Sequence, residues 1–325
     1  MREPKPEWIT LPRDLRGRIE SRLRSEVRVA TIAWGGYTPS ATFRLALTDC
    51  REVFCKAVST AHAPRLRASF FAERGYLRMA SPISAFAPPF LGDAEADDWW
   101  AMLFTYIDDA LPIPPWDGKI SAVLARLGEL HSVTPAAGLN VPPFAVRHLW
   151  RDLFSAPSGI AGLASLFADA AVAEHWLLRH RDTIVAVETA AATFRWQPGL
   201  MHLDLRSDNI LYSQSRGVLF VDWPYLSVGP RIVDVGFLLP SLHAEGGPAP
   251  ARGIELYEQI TGMKFSDDEI AAAAVLVAGF FAAHAHLAYV PETPRLRLLQ
   301  RVQLYPALQW MCAMLNIEPP PARRA

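Results

Sequence analysis

The sequence predicts an α+β chain in two lobes, an antiparallel sheet followed by a mainly helical part. Three observations lead there. Short β-prone runs crowd the first hundred residues, long helical patterns take over after about residue 108, and one polar run, Met201–Asp222, interrupts the helices with residues suited to chemistry. The boundary falls between residues 1–107 and 108–325, where Pro112, Pro114 and Pro115 punctuate the chain.

In the first lobe, residues 27–34 read as a strand ending in Gly35-Gly36, and residues 41–48 as its partner. Asp49-Cys50-Arg51 makes a tight connection to a third strand, Glu52–Ser59, on which Phe54, Lys56 and Val58 share one face. Residues 64–80 space Leu66, Phe70, Leu77 and Met79 as an amphipathic helix that carries Glu73. Two apolar runs within 86–109 complete a five-stranded sheet, with Gly92–Asp98 predicted as the loop between them. The second run ends near Ile107, where backbone groups could meet the edge of a base.

Gly35 and Gly36 let backbone approach a ligand closely, and Thr38 and Ser40 add hydroxyls that could meet phosphate oxygens. Lys56 is more telling, because the chain holds four lysines against 28 arginines. In the middle of a half-buried strand, its ammonium is a compact point charge that can reach phosphate where a guanidinium would not fit.

The second lobe reads as helices over Ile120–Val133, His148–Phe154, Ile160–Ala171, Val172–Ala192, Arg252–Thr261 and Pro294–Asn316. Ser266 followed by Asp267, Asp268 and Glu269 marks a helix start. The segment behind it, Ile270–Val290, is apolar enough for a membrane span, yet its acidic cap and its His284 and His286 favour a buried helix.

Within the polar run, two short strands, Ile210–Tyr212 and Val218–Val221, flank the turn Ser213–Gly217. Antiparallel pairing would bring Asn209, at the start of one, close to Asp222, at the end of the other. Asp204 could then accept a proton from an attacking hydroxyl, while Asn209 and Asp222 hold a divalent metal against nucleotide phosphates. Asp208-Asn209 alone would be turn residues, and no nearby His or Cys completes a zinc site around His202 and Asp204.

This block, with Val221-Asp222-Trp223-Pro224 and the later Gly229–Asp234, resembles the catalytic core of the aminoglycoside phosphotransferase and choline kinase-like family of small-molecule kinases. The resemblance implies a bilobal protein-kinase-like fold. It also implies Mg²⁺-assisted transfer of the γ-phosphoryl of ATP, or GTP, to a hydroxyl of a small molecule. Carried over by residue, it makes Asp204 the catalytic base, with His202 orienting its loop, and Asn209 and Asp222 the metal ligands. Lys56 paired with Glu73 would orient the phosphates beneath Gly36 and Ser40, and Asp234 would brace the catalytic loop. Pro224 departs from the family, many of whose members carry Glu there. Leu130-His131-Ser132 resembles the end of the family's first large helix, without a catalytic role for His131.

The competing reading is a nucleotide-binding pseudokinase or ligand-sensing module without turnover. An aminoglycoside acceptor would favour acidic groups such as Asp208, Glu245, Glu255 and Glu258. A net charge of -1 and the lack of a basic stripe argue against nucleic acid. Three scattered cysteines suit a reducing, cytoplasmic setting, and Met1–Thr10 has no apolar leader pattern.

Overall fold

The structure is a computed structural model that describes residues 5–61, 63–79, 82–134, 140–290 and 293–322. It opens with α1 (Arg13–Leu23), whose Leu15, Ile19 and Leu23 recur every fourth residue and are buried. There follow β1 (Val27–Ile32), β2 (Ala41–Leu47), β3 (Glu52–Ser59), α2 (Arg67–Arg78), β4 (Phe90–Ala96) and β5 (Trp99–Thr105). The five strands form one antiparallel sheet in the order β1-β2-β3-β5-β4.

The two-residue period of β3 divides the packing of this lobe. Val53, Cys55 and Ala57 join Leu15, Ile19 and Phe43 in a core beneath α1. On the opposite face Val58 meets Phe70 of α2 and Phe104 of β5, in a core that runs on into the second lobe. Lys56 lies on this second face, directed at the junction of the lobes.

Several features differ from the sequence reading. The helix α1 was not anticipated, because arginines dilute its apolar stripe to three positions. The expected loop Gly92–Asp98 is mostly strand, with only Asp97-Asp98 left to turn into β5. Here Gly92, Ala94 and Ala96 alternate inward on an edge strand beside α1, and small side chains let the helix approach. At Gly92, φ is +124° and a Cβ would fall 2.1 Å from Nε of Arg22. The helix expected over 64–80 begins as a 3₁₀ turn, Pro64–Leu66, before α2; its expected end at Ala80 lies outside the described residues.

The second lobe contains β6 (Ala110–Leu111), α3 (Ile120–His131), α4 (Leu149–Ser155), α5 (Pro157–Ala164) and α6 (Ala170–Ala191). Next come β7 (Pro198–Met201), β8 (Ile210–Ser213), β9 (Gly217–Phe220) and β10 (Ser227–Pro230). It closes with α7 (Arg231–Ala244), α8 (Pro250–Thr261), α9 (Asp267–Ala285) and α10 (Leu296–Leu315). A capping box between Ser266 and Glu269 starts α9, as the sequence suggests. This helix is long and apolar enough to cross a bilayer, yet 61% of its apolar window is buried, and it packs against α10, α7, α6 and α4.

The small strands position the chemistry. β7 pairs with β10, while β8 and β9 form the expected hairpin, with β6 along its other edge. Val221 N–H donates to the carbonyl of Asn209 at 3.0 Å, so the pairing continues one step beyond the strands and Asp222 leaves the hairpin beside Asn209.

Candidate active site

The candidate catalytic loop runs from the end of β7 to β8, and one buried carboxylate sets its shape. Asp234, in the first turn of α7 and 0% exposed, accepts the N–H of His202 at 2.9 Å and that of Leu203 at 2.6 Å. The same side chain lies 3.0 Å from Nε2 of His131, whose Nδ1 is 2.6 Å from the Tyr257 hydroxyl. Burial opposes ionisation of Asp234, but the His131 contact and the His202 amide outweigh it and hold the carboxyl below its usual range. Leu203 takes a left-handed φ of 64°, a conformation these bonds fix in place.

His202 is buried and rests on Trp223, with ring centroids 4.4 Å apart. Its Nδ1 accepts the Asp204 N–H at 3.3 Å, which assigns the proton to Nε2, donated to the Val221 carbonyl at 3.1 Å. A neutral imidazole satisfies both bonds, and burial pushes its pKa down to about 4. The residue thereby ties the catalytic loop to the end of the hairpin.

Asp204 is a quarter exposed and faces the cleft. Asn209 Nδ2 donates to its carbonyl at 2.7 Å and to its Oδ2 at 3.2 Å, while Arg206 Nη1 donates to Oδ1. Burial pushes the Asp204 carboxyl up to about 7, against the pull of Arg206. Each carboxylate oxygen has a second lone pair, so an incoming hydroxyl can be accepted while these contacts stand. Arg206 also binds Asp208 through Nε at 3.0 Å and Nη2 at 3.2 Å.

Opposite, Lys56 Nζ donates to Glu73 Oε2 at 2.8 Å and to Asp222 Oδ1 at 2.7 Å. The second oxygen of Glu73, itself 3% exposed, accepts the Trp223 N–H at 3.2 Å. One glutamate on α2 therefore grips both the lysine of β3 and the segment after Asp222. Burial would lower the Lys56 pKa, but the two carboxylates reverse this and keep it charged. Burial likewise works against the charge on Asp222, and Lys56 more than compensates, leaving its carboxyl below the usual range. Asp222 has a left-handed φ of 68° as the chain turns out of the hairpin.

Asn209 and Asp222 offer an amide oxygen and a carboxylate, a donor set that suits a hard cation completing its octahedron with phosphates and water. Among the described residues, no group of three or more His, Cys, Asp or Glu forms a cluster able to hold a metal by itself.

Sequence comparison then places the chain. Residues 29–271 match the sequence model of the phosphotransferase enzyme family, over a span that takes in Lys56, Glu73, the catalytic loop, Asp222 and Asp234. The chain belongs to this phosphotransferase family. A stretch of 142 residues is 32% identical to Protein StrN of Streptomyces griseus; it covers 39% of this chain and 44% of that protein, less than half of the relative's length. Among solved structures, a spectinomycin phosphotransferase in complex with ADP and spectinomycin superposes with a TM-score of 0.60 at 12% identity, covering 90% of this chain and 95% of that one. A choline/ethanolamine kinase family protein from Mesorhizobium loti gives 0.57 at 16%, covering 89% and 91%. The choline kinase of Streptococcus pneumoniae gives 0.56 at 12%, covering 92% and 97%. The shared architecture is the bilobal kinase-like fold that the sequence predicts.

In this member of the family, the structure gathers Lys56, Glu73 and Asp222 into one ion cluster and Asp204, His202 and Asn209 into one loop. Gly36 lies in the turn between β1 and β2, where its carbonyl accepts from Arg295 at 3.4 Å. Ser40 is buried at the root of that turn, its hydroxyl 2.8 Å from that of Thr38. Of the four acidic candidates, Asp208 binds Arg206, and Glu245 accepts Ser207 Oγ of the loop at 2.6 Å and Trp116 Nε1, ahead of α3, at 3.0 Å. Glu255 and Glu258 sit on α8 in local pairs with Arg252 and Lys264.

The sequence reading passed over Arg206, Tyr37 and Arg295. Arg206 had a detectable signal: it is a cation two residues from each of two carboxylates, Asp204 and Asp208, and it pairs with both.

Proposed function

We propose that this chain transfers the γ-phosphoryl of ATP, or GTP, to a hydroxyl of a small molecule. The observation that carries the reading is Lys56, a cation on the sheet of one lobe that bonds Glu73 on α2 and Asp222 at the end of the hairpin in the other lobe. Such a bridge gives phosphate oxygens a fixed positive partner beside a carboxylate that can hold a metal.

In this reading Lys56 meets the non-transferred phosphates, and Glu73 keeps the ammonium from following them. Asn209 and Asp222 would hold Mg²⁺, which when bound supplies charge neutralisation of the phosphates. Asp204 accepts the hydroxyl's hydrogen and takes the proton as the acceptor oxygen bonds to the γ-phosphorus and the bond from that phosphorus to the β-phosphate oxygen breaks, releasing the nucleoside diphosphate. His202 and Asp234 act on position alone, by fixing the backbone that carries Asp204. The spectinomycin phosphotransferase of the same fold, solved with ADP and spectinomycin, supports a nucleotide donor and a small-molecule acceptor. We place the reaction in the cytoplasm, in keeping with three cysteines that are free thiols.

The test combines thermal unfolding with turnover. ATP or GTP at about 100 times its Kd should stabilise the chain by about 2.7 kcal/mol in the presence of Mg²⁺. A panel of amino-, sugar- and choline-type alcohols should then include one that raises ATP consumption. Binding without consumption across the panel supports a module without turnover, and no stabilisation by any nucleotide contradicts both readings.

A further inference from the structure

The turn between β1 and β2 carries a residue that the roles above leave unused. Tyr37 follows Gly35 and Gly36, and Gly36 has a φ of +66° that redirects the chain. Two guanidinium groups approach the Tyr37 ring: Arg206 at 5.4 Å and Arg295 at 5.0 Å from its centroid. Arg206 belongs to the catalytic loop, and Arg295 precedes α10. Arg295 also donates to the Gly36 carbonyl at 3.4 Å, so it holds the turn through backbone and ring together. From the other side Lys5 Nζ donates to the carbonyls of Thr38 and Ser40 at 3.3 and 3.1 Å.

These contacts join three parts of the chain that are distant in sequence. The first-lobe turn rests on the second lobe through one ring, and one of its cationic partners already grips Asp204 and Asp208. A cation over an aromatic face is attracted by the ring quadrupole, and partial desolvation strengthens the attraction. Burial raises the Tyr37 pKa, and the nearby Asp208 adds to it, so the ring stays neutral and keeps its hydroxyl.

We propose that Tyr37 is a positioning residue whose ring, held by Arg206 and Arg295, latches the β1–β2 turn across the cleft onto the catalytic loop. The latch closes the turn over the space in front of Asp204 and steadies the guanidinium of Arg206 beside that carboxylate. Nucleotide can enter or leave that space only when the ring lifts. This last consequence rests on the phosphotransfer reading; the latch itself does not.

Amide hydrogen exchange on the nucleotide-free full chain tests the latch directly. Tyr37→Leu should speed exchange of residues 33–40 about fivefold to tenfold, the loss expected of a partly buried cation–π contact. Tyr37→Phe keeps the ring and should exchange like wild type. Arg295→Met should also speed exchange, and the double variant should exchange faster than either single variant but by less than the product of their factors, because the ring contact they share is lost only once while the Arg206 contact and the Gly36 bond are lost separately. In a second arm, stopped-flow dissociation of Mg²⁺·ADP should quicken by a similar factor in Tyr37→Leu and not in Tyr37→Phe. Unchanged exchange in Tyr37→Leu, equal acceleration in Tyr37→Phe, or effects that multiply in the double variant would overturn the latch. If wild type binds no Mg²⁺·ADP, the phosphoryl-donor reading fails, while the exchange arm still decides the latch.

Discussion

The catalytic loop after β7 and the glycine turn between β1 and β2 meet at Arg206, yet they are held by different means. Beneath the catalytic loop lies a continuous buried chain, Tyr257 to His131 to Asp234 to the amides of His202 and Leu203. The turn has two glycines and is fastened by side chains that reach it from elsewhere, Lys5 and Arg295 on its backbone and two arginines on Tyr37. Buried bonds resist opening because any unpaired group pays the full cost of desolvation. Half-exposed cation–π contacts can open and close at small cost. The loop that carries Asp204 is thus rigid, and the turn that carries Tyr37 can move.

Removing the brace gives the largest expected effect. Asp234→Ala strands His131 and two amides in the core, and should cost about 3–5 kcal/mol of stability. Urea unfolding at unchanged m measures it, and a loss below about 1 kcal/mol would show that the loop does not depend on Asp234.

Acid probes the same region more gently. His202 titrates near 4 in the folded chain against 6.5 unfolded, so protons favour the unfolded state as pH falls through that window. Its contribution is fully present above pH 6.5 and should decline by about 3 kcal/mol toward pH 4. Asp234, whose pKa is also lowered, adds a loss of the same sign. Asp204, pushed up to about 7, acts in the opposite sense over the same window, because the folded chain binds its proton more tightly. His202→Asn should therefore shift the pH dependence of the urea midpoint between 7 and 4.5 toward greater stability in acid; an unaltered slope would remove His202 from the account.

On the donor side, Asp222→Ala should abolish the Mg²⁺-dependent part of nucleotide stabilisation, about 2.7 kcal/mol at 100 times Kd, while Lys56 keeps Glu73 as a partner. Retention of the shift would place the metal elsewhere. The smallest effect belongs to the turn. Tyr37→Leu should change global stability by under about 0.5 kcal/mol, even as the turn exchanges faster. A global loss of several kcal/mol would make Tyr37 a core residue and end the contrast between the loops.

Legibility in the sequence followed chain separation and periodicity. Asn209 and Asp222 could be joined from sequence because a short hairpin connects them, and strand alternation alone put Lys56 on a face with Phe54 and Val58. The apolar stripe of α2 placed Glu73 on a helix, but only the family resemblance matched it to Lys56. The helix α1 escaped notice because its buried face is only Leu15, Ile19 and Leu23, and β4 passed for a loop because its inward residues are glycine and alanine. The segment that became α7 contains Gly236 and Pro240, so local propensity argues against a helix that burial nonetheless maintains. Contacts such as Tyr37 with Arg295 leave no periodic trace, since only the closing of the two lobes brings them together.

The central claim is that Asp204 takes the acceptor's proton while Lys56, Glu73 and Asp222 hold the donor. Single-turnover phosphoryl transfer by Asp204→Ala, using the alcohol that best drives ATP consumption by wild type, tests it most directly. The account predicts a rate lower by about 10² to 10⁴, with Mg²⁺·ATP stabilising the variant as much as wild type. Transfer near the wild-type rate would contradict it.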